Sequence, residues 1–188
     1  AERRHGAALY IPGMRIVGGK LAGRDLTSPP DPRVRPTAEH VRAALLDLLA
    51  EDLPDARVLD LFAGTGALGI EALSRGAARA DFVEFRPASL HALRANVAAL
   101  RLRDRTRIFK RDALPYAANL PAGAYDLAFA DPPYESRMLD RLIDTWRATA
   151  FARVLAVEHA RSHALPPGAR RRTVDDTTIT IYRAASAS

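Results

Sequence analysis

At 188 residues, 48% of them hydrophobic, the chain has material for one well-buried domain and too little for two. Its 28 Lys and Arg against 22 Asp and Glu give a formal charge of +6, which favours an acidic partner, with nucleic acid the commonest soluble candidate. The lack of any cysteine excludes disulfides, thiolate metal sites, a cysteine nucleophile and cysteine-held iron–sulfur clusters, and no apolar run approaches the roughly 20 residues of a membrane helix.

No signal peptide is legible either, so a soluble, cytoplasmic protein is expected. Residues 1–13 show no periodicity and are set aside as a tag, a mis-set start or a disordered end. From Met14, "RIVGGKLAGRDL" puts short apolar runs on either side of a Gly-rich connection and predicts a β-hairpin. "TSPPDPRVRP" follows as an extended linker, so 14–36 read as an N-terminal extension and 37–188 as the main domain. Thr37 is a plausible N-cap for a helix in "AEHVRAALLDLLAEDL", with Val41, Leu45, Leu48 and Leu49 on one face, packing beside a core it does not belong to.

From residue 57 short β-rich runs alternate with helical stretches. Strands are predicted at 57–62, 79–84, 105–109, 125–130 and 152–158, with helices at 67–75, 87–100, 112–119 and 136–147. Such alternation implies βαβ units around a mostly parallel sheet with helices on both faces. "ARRRTV" and "TTITIYRA", separated by "DD", predict a terminal antiparallel hairpin at the sheet edge.

Two segments carry chemistry. "RVLDLFAGTGALGIEAL" runs strand, glycine turn, helix, and Gly64, Gly66 and Gly69 satisfy G-x-G-x-x-G, which opens the possibility of a nicotinamide site. Glu84 ends the following strand, 18 residues after Gly66, where a carboxylate can accept from both ribose hydroxyls. Asp60, just before the loop, would repel a pyrophosphate and favour an ammonium, as in the amino-acid moiety of S-adenosylmethionine. Asp112 in "KRDA" is placed either to receive an adenine amino group or to cap the helix that begins at Ala113. The second segment, "ADPPY" at 130–134, follows the apolar run "YDLAF"; two prolines end the strand and form a rigid platform for a carboxylate, a carbonyl and an aromatic ring.

"VLDLFAGTGALGIEALSRGA", "FVEF", "RDA" and "DPPY", in this order, resemble the signature segments of class I S-adenosylmethionine-dependent methyltransferases. With "MRIVGGKLAGRDL", "RPTAEHVRAALLDLL" and "AVEH" added, the chain from Met14 to Arg183 resembles the RsmD family of 16S rRNA guanine-N2 methyltransferases. The resemblance implies a Rossmann-like fold with a seven-stranded, mostly parallel sheet and an antiparallel C-terminal strand. It implies S-adenosylmethionine as cofactor with no metal, and as substrate the N2 of guanine 966 of 16S rRNA, in assembled or assembling small subunits. It also implies cofactor contacts from Asp60, Ala63, Gly64, Gly66, Glu84, Phe85, Asp112, Ala113 and Asp131. Asp131 and the Pro132 carbonyl would hold the target amine, and Tyr134 would stack on the base.

Lys20, Arg24, Arg33 and Arg35 are the candidate phosphate contacts, and Thr37 and Arg42 lie near the expected cofactor tail. A monomer is expected, with no membrane partner. His159 and His163, four apart, lack a third metal ligand, and Trp146 reads as core. Three rivals stay open: an adenine-N6 methylase, a nicotinamide-dependent oxidoreductase, and a ribosome-binding module with a vestigial pocket.

Overall fold

Strands covered on both faces are mostly apolar, and four runs of this chain are buried along nearly their whole length: Arg57–Leu61 (β1), Arg79–Glu84 (β2), Tyr125–Ala130 (β4) and Ala152–Ala160 (β5). A computed structural model of the protein describes residues 14–29, 38–133 and 137–185. Thr106–Lys110 (β3), Arg170–Val174 (β6) and Thr177–Arg183 (β7) complete a seven-stranded sheet of order β3-β2-β1-β4-β5-β7-β6. The first five strands pair in parallel, and β7 runs antiparallel to both β5 and β6. This is the Rossmann-like class I methyltransferase fold.

The helices Glu39–Leu48 (α1), Ala67–Ser74 (α2) and Pro87–Ala99 (α3) cover one face, over a core that includes Leu45, Leu46, Ile70, Phe82, Leu93 and Phe129. On the other face Ala113–Ala118 (α4) and Met138–Thr149 (α5) cover a second core in which Leu142 and Trp146 of α5 join Leu59, Phe151 and Leu155. Trp146 is core, as expected, and its Nε1–H donates to the Ala152 carbonyl at 2.8 Å. No helix among the described residues is long and apolar enough to cross a membrane.

Several boundaries differ from the sequence reading for identifiable reasons. β3 begins at Thr106 because 103–105 form a single tight helical turn. β5 continues to Ala160 instead of stopping at 158, because pairing with β7 extends from Val154 to Ala160. The terminal hairpin therefore joins the sheet through β7, and β6 is the outermost strand. The N-terminal hairpin is reduced to one antiparallel pairing, Arg15 with Asp25, flanked by Ile16 N–H to Arg24 O at 3.0 Å and Leu26 N–H to Met14 O at 2.9 Å. Its tip spends its backbone donors on α2 instead: Val17 and Gly18 N–H reach Glu71 Oε1 at 2.8 and 2.7 Å, and Lys20 N–H reaches Ser74 O at 2.8 Å. Gly19 must be glycine there, since its φ is +79° and a Cβ would lie 2.0 Å from Ser74 O.

Helix α1 also departs from expectation. It does not lie beside a foreign core: Val41, Leu45, Leu46 and Leu49 belong to the first core half. Its N-cap is Ala38, without a side-chain cap, and Thr37 lies outside the described residues. Arg42, placed near the cofactor tail by the sequence reading, is completely buried and pairs with Glu71 of α2, Nε to Oε2, at 2.8 Å.

Candidate active site

Strand alternation brings the site's carboxylates to one face. In register, Asp60 of β1 lies beside Phe82 of β2 and Phe129 of β4, and Phe129 lies beside Ala156 of β5. Side chains two residues apart share a face, so Glu84, Asp131 and Glu158, each two positions further along its own chain, stand level with one another. They sit one step beyond Asp60, at the carboxyl ends of the central strands on the α1/α2 side. This is where ligands bind in open α/β sheets.

The loop between β1 and α2 is shaped by left-handed backbone at Phe62, Gly64 and Gly66, with φ of 57°, 57° and 81°. A bulky residue such as Phe62 adopts that conformation only under strain, which is characteristic of ligand loops. Gly69 allows α2 to approach the sheet: a Cβ there would lie 2.5 Å from the Phe82 ring and 3.1 Å from Asp60 Oδ2. At Gly64, by contrast, a Cβ would meet nothing within 4 Å. Ala63 is buried and donates its N–H to Val83 O at 3.0 Å, tying the loop to β2.

Asp60 is 3% exposed and accepts the Gly69 N–H at 3.0 Å. Burial pushes its carboxyl well above the usual range; the Gly69 bond opposes this, while Asp131 and then Glu84 add to it. Glu84 accepts three backbone N–H groups, Gly64 on Oε2 at 2.8 Å and Phe85 and Arg86 on Oε1 at 2.8 and 2.9 Å. An ionised carboxylate offers about four acceptor positions, so the free capacity for a ribose lies on Oε2. Phe85, next in the chain, is an apolar ring left 57% exposed. Asp112 is exposed and is the N-cap of α4, its Oδ1 accepting the Leu114 N–H at 3.3 Å, while Ala113 is buried in that first turn.

At the end of β4, Asp131 is half-buried, Pro132 buried and Pro133 exposed. Tyr134 lies outside the described residues, as do Arg33 and Arg35. Lys20 and Arg24 are exposed on the N-terminal extension, and the Arg24 guanidinium reaches Ala99 O at 3.5 Å. His159 and His163 meet edge to face at 6.1 Å, but each is engaged elsewhere, His159 with Thr180 Oγ1 and His163 with Asp140. No group of three or more metal-ligating side chains occurs among the described residues.

Three residues of the site escaped the sequence reading. Glu158 read as a strand end, although an acid inside the apolar run "VLAVEHA" was the available signal. Asn96 of α3 is buried; its Oδ1 accepts the Thr27 N–H at 2.7 Å, and its Nδ2 donates to the carbonyls of Thr27 and Thr65, both at 3.0 Å. It thereby ties the N-terminal extension to the glycine loop. Glu71 joins the same extension to α2, and nothing in a helix buried all round marks it as special.

Residues 14–182 match the family model described as conserved hypothetical protein 95. The ribosomal RNA small subunit methyltransferase D of Escherichia coli (strain K12) is 39% identical over 131 residues, which is 70% of this chain and 65% of that protein. The aligned part thus spans just under two thirds of that relative's length. The putative rRNA methyltransferase YlbH of Bacillus subtilis (strain 168) is 31% identical over 182 residues, 90% of this chain and 98% of that one. Among solved structures, the putative methyltransferase yhhF from Escherichia coli superposes with a TM-score of 0.78 at 31% identity, covering 90% of this chain and 97% of its own.

Proposed function

Because the chain belongs to the conserved hypothetical protein 95 family, the RsmD family of methyltransferases, we propose that it methylates the exocyclic N2 of a guanine in small-subunit ribosomal RNA, guanine 966 by family analogy. The observation that carries this reading is the level row of Glu84 and Asp131, with Asp60 one step behind, beside a glycine loop. S-adenosylmethionine would supply an electrophilic sulfonium methyl. The residues present fit such a group: Glu84 Oε2 for a ribose hydroxyl, the exposed Phe85 ring for a base face, Asp112 for an amino group, and Asp60 toward an ammonium.

The guanine amine is a poor nucleophile because its lone pair is delocalised into the ring. Hydrogen bonds from it to the Asp131 carboxylate and the Pro132 carbonyl would fix its orientation and favour a more pyramidal nitrogen. Transfer of the sulfonium methyl to this nitrogen would place developing positive charge beside Asp131, and the amine would then release one N–H proton to solvent. Tyr134 would stack on the base, a contact worth about 1–3 kcal/mol. Lys20, Arg24, Arg33 and Arg35 would meet phosphates, so raising salt should weaken RNA binding far more than cofactor binding.

Incubation with S-adenosylmethionine and small subunits from a strain lacking this gene is expected to yield one N2-methylguanine in 16S RNA. N6-methyladenine would establish the adenine-N6 alternative instead. Affinity for NAD with none for S-adenosylmethionine, measured by titration calorimetry, would favour the oxidoreductase.

Cofactor binding should also be linked to protons. In the free protein the Asp60 carboxyl is held above its ordinary value by burial first, so it retains a proton in a pH window where an exposed aspartate has lost it. An arriving ammonium lowers that value and expels the proton, and a complex that holds fewer protons tightens as pH rises. S-adenosylmethionine affinity is therefore expected to increase with pH across the window from about 4 up to the raised value. Calorimetry in buffers of different ionisation enthalpy should record proton release that Asp60→Asn abolishes. Equal heats in all buffers would refute the linkage.

A further inference from the structure

Glu158 has no part in the reading above, yet it stands level with Asp131 on the adjacent strand. It is 3% exposed, and its Oε1 is buried with no hydrogen-bond partner among the described residues. An unsatisfied buried carboxyl costs stability, and such a cost on a strand held rigidly between β4 and β7 calls for a use. We propose that Glu158 is a positioning residue for methyl transfer, holding the Asp131 carboxylate in place from the neighbouring strand. The proposal rests on the methyltransferase reading of the site.

Three elements face Glu158 with charge. Asp131 at the end of β4 and Asp60 of β1 are like charges, and Arg42 of α1 is the only cation among them. Burial is the largest influence and pushes the Glu158 carboxyl well above its usual range; Asp131 adds to this, Arg42 opposes it, and Asp60 adds less. Arg42 is itself committed to Glu71 and to the Arg15 carbonyl. Burial and the neighbouring carboxyls therefore favour the neutral acid form of Glu158. A neutral acid adds no repulsion to a cleft already crowded with carboxylates, and it has one O–H to offer an anion. A neutral Glu158 beside Asp131 thus adds no second charge where the amine's positive charge develops. The strand pairing on both sides of Glu158 makes the support rigid.

The test compares Glu158→Gln with Glu158→Ala. Glutamine is neutral, similar in shape and carries an N–H donor, so it should keep kcat near wild type across pH. Alanine should lower kcat by about 10–100-fold with KM for S-adenosylmethionine unchanged. Melting temperatures of both variants separate misfolding from mispositioning. Wild-type kcat in Glu158→Ala overturns the proposal, and so does an equal loss in both variants, which would mean that the ionised form is the one required. If wild-type protein transfers no methyl group to small subunits, the methyltransferase reading itself has failed, a result distinct from either.

Discussion

Asp131→Ala is expected to lower the rate constant for methyl transfer by about 10²–10³-fold, equivalent to about 3–4 kcal/mol of transition-state stabilisation, while S-adenosylmethionine still binds. The reaction converts a neutral amine into a cationic one in the transition state, and the proposed mechanism places Asp131 as the carboxylate beside that nitrogen. A fold defect would not account for the loss. Asp131 is half-buried, and its charge raises the carboxyls of both Asp60 and Glu158. An unchanged melting temperature in the variant separates lost chemistry from a fold defect. Asp131→Asn keeps one acceptor oxygen and loses the charge, and should fall between alanine and wild type. Single-turnover transfer to RNA, measured beside calorimetric cofactor binding, checks both parts. Full activity in the alanine variant would show that the amine is activated elsewhere.

Much of this site was legible before folding, because its signals are local. A strand buried on both faces needs an unbroken apolar run, so "RVLDL" and "YDLAFA" declared themselves. Gly66 and Gly69 were readable because close approach there tolerates no side chain, and Gly64 because its backbone is left-handed. Glu84 was readable as the acid that ends such a strand, and Asp112 as a residue that caps the helix following it. What stayed hidden depends on contacts between distant segments. Arg42 and Glu71 are 29 residues apart and Asn96 and Thr27 are 69 apart, and no periodicity relates them. The hairpin at Met14–Leu26 looked like an independent two-stranded unit, yet its donors turn to Glu71 and Ser74 because α2 passes beneath it. The extent of β5 was misjudged because its partner, β7, lies near the C-terminus, and this concealed Glu158 inside a strand.

That long-range network should fail when its hub is removed. Glu71 is completely buried and accepts from Val17 N–H, Gly18 N–H and Arg42 Nε, with Arg75 Nη2 at 3.5 Å. Glu71→Ala removes the carboxylate paired with the buried Arg42 guanidinium, and breaking a buried pair by removing one partner costs about 3–5 kcal/mol. For a domain of this size that corresponds to a fall in melting temperature of roughly 6–20 °C. Glu71→Gln retains an oxygen for the two amides and should lose less. Replacing both partners, Glu71→Leu with Arg42→Met, removes both charges and should recover most of the stability, since a buried ion pair is often no better than an apolar pair of similar volume. The consequence for function is directional. The extension carrying Lys20 and Arg24 would lose two of its anchors to α2, while Asn96 still ties Thr27 to the glycine loop. Glu71→Ala protein held below its melting temperature should therefore show faster amide exchange at Val17 and Gly18 and weaker RNA binding, with cofactor affinity preserved. A melting temperature unchanged from wild type would mean that the extension is held by its apolar contacts, Met14, Ile16 and Leu26, and that the ion pair adds nothing.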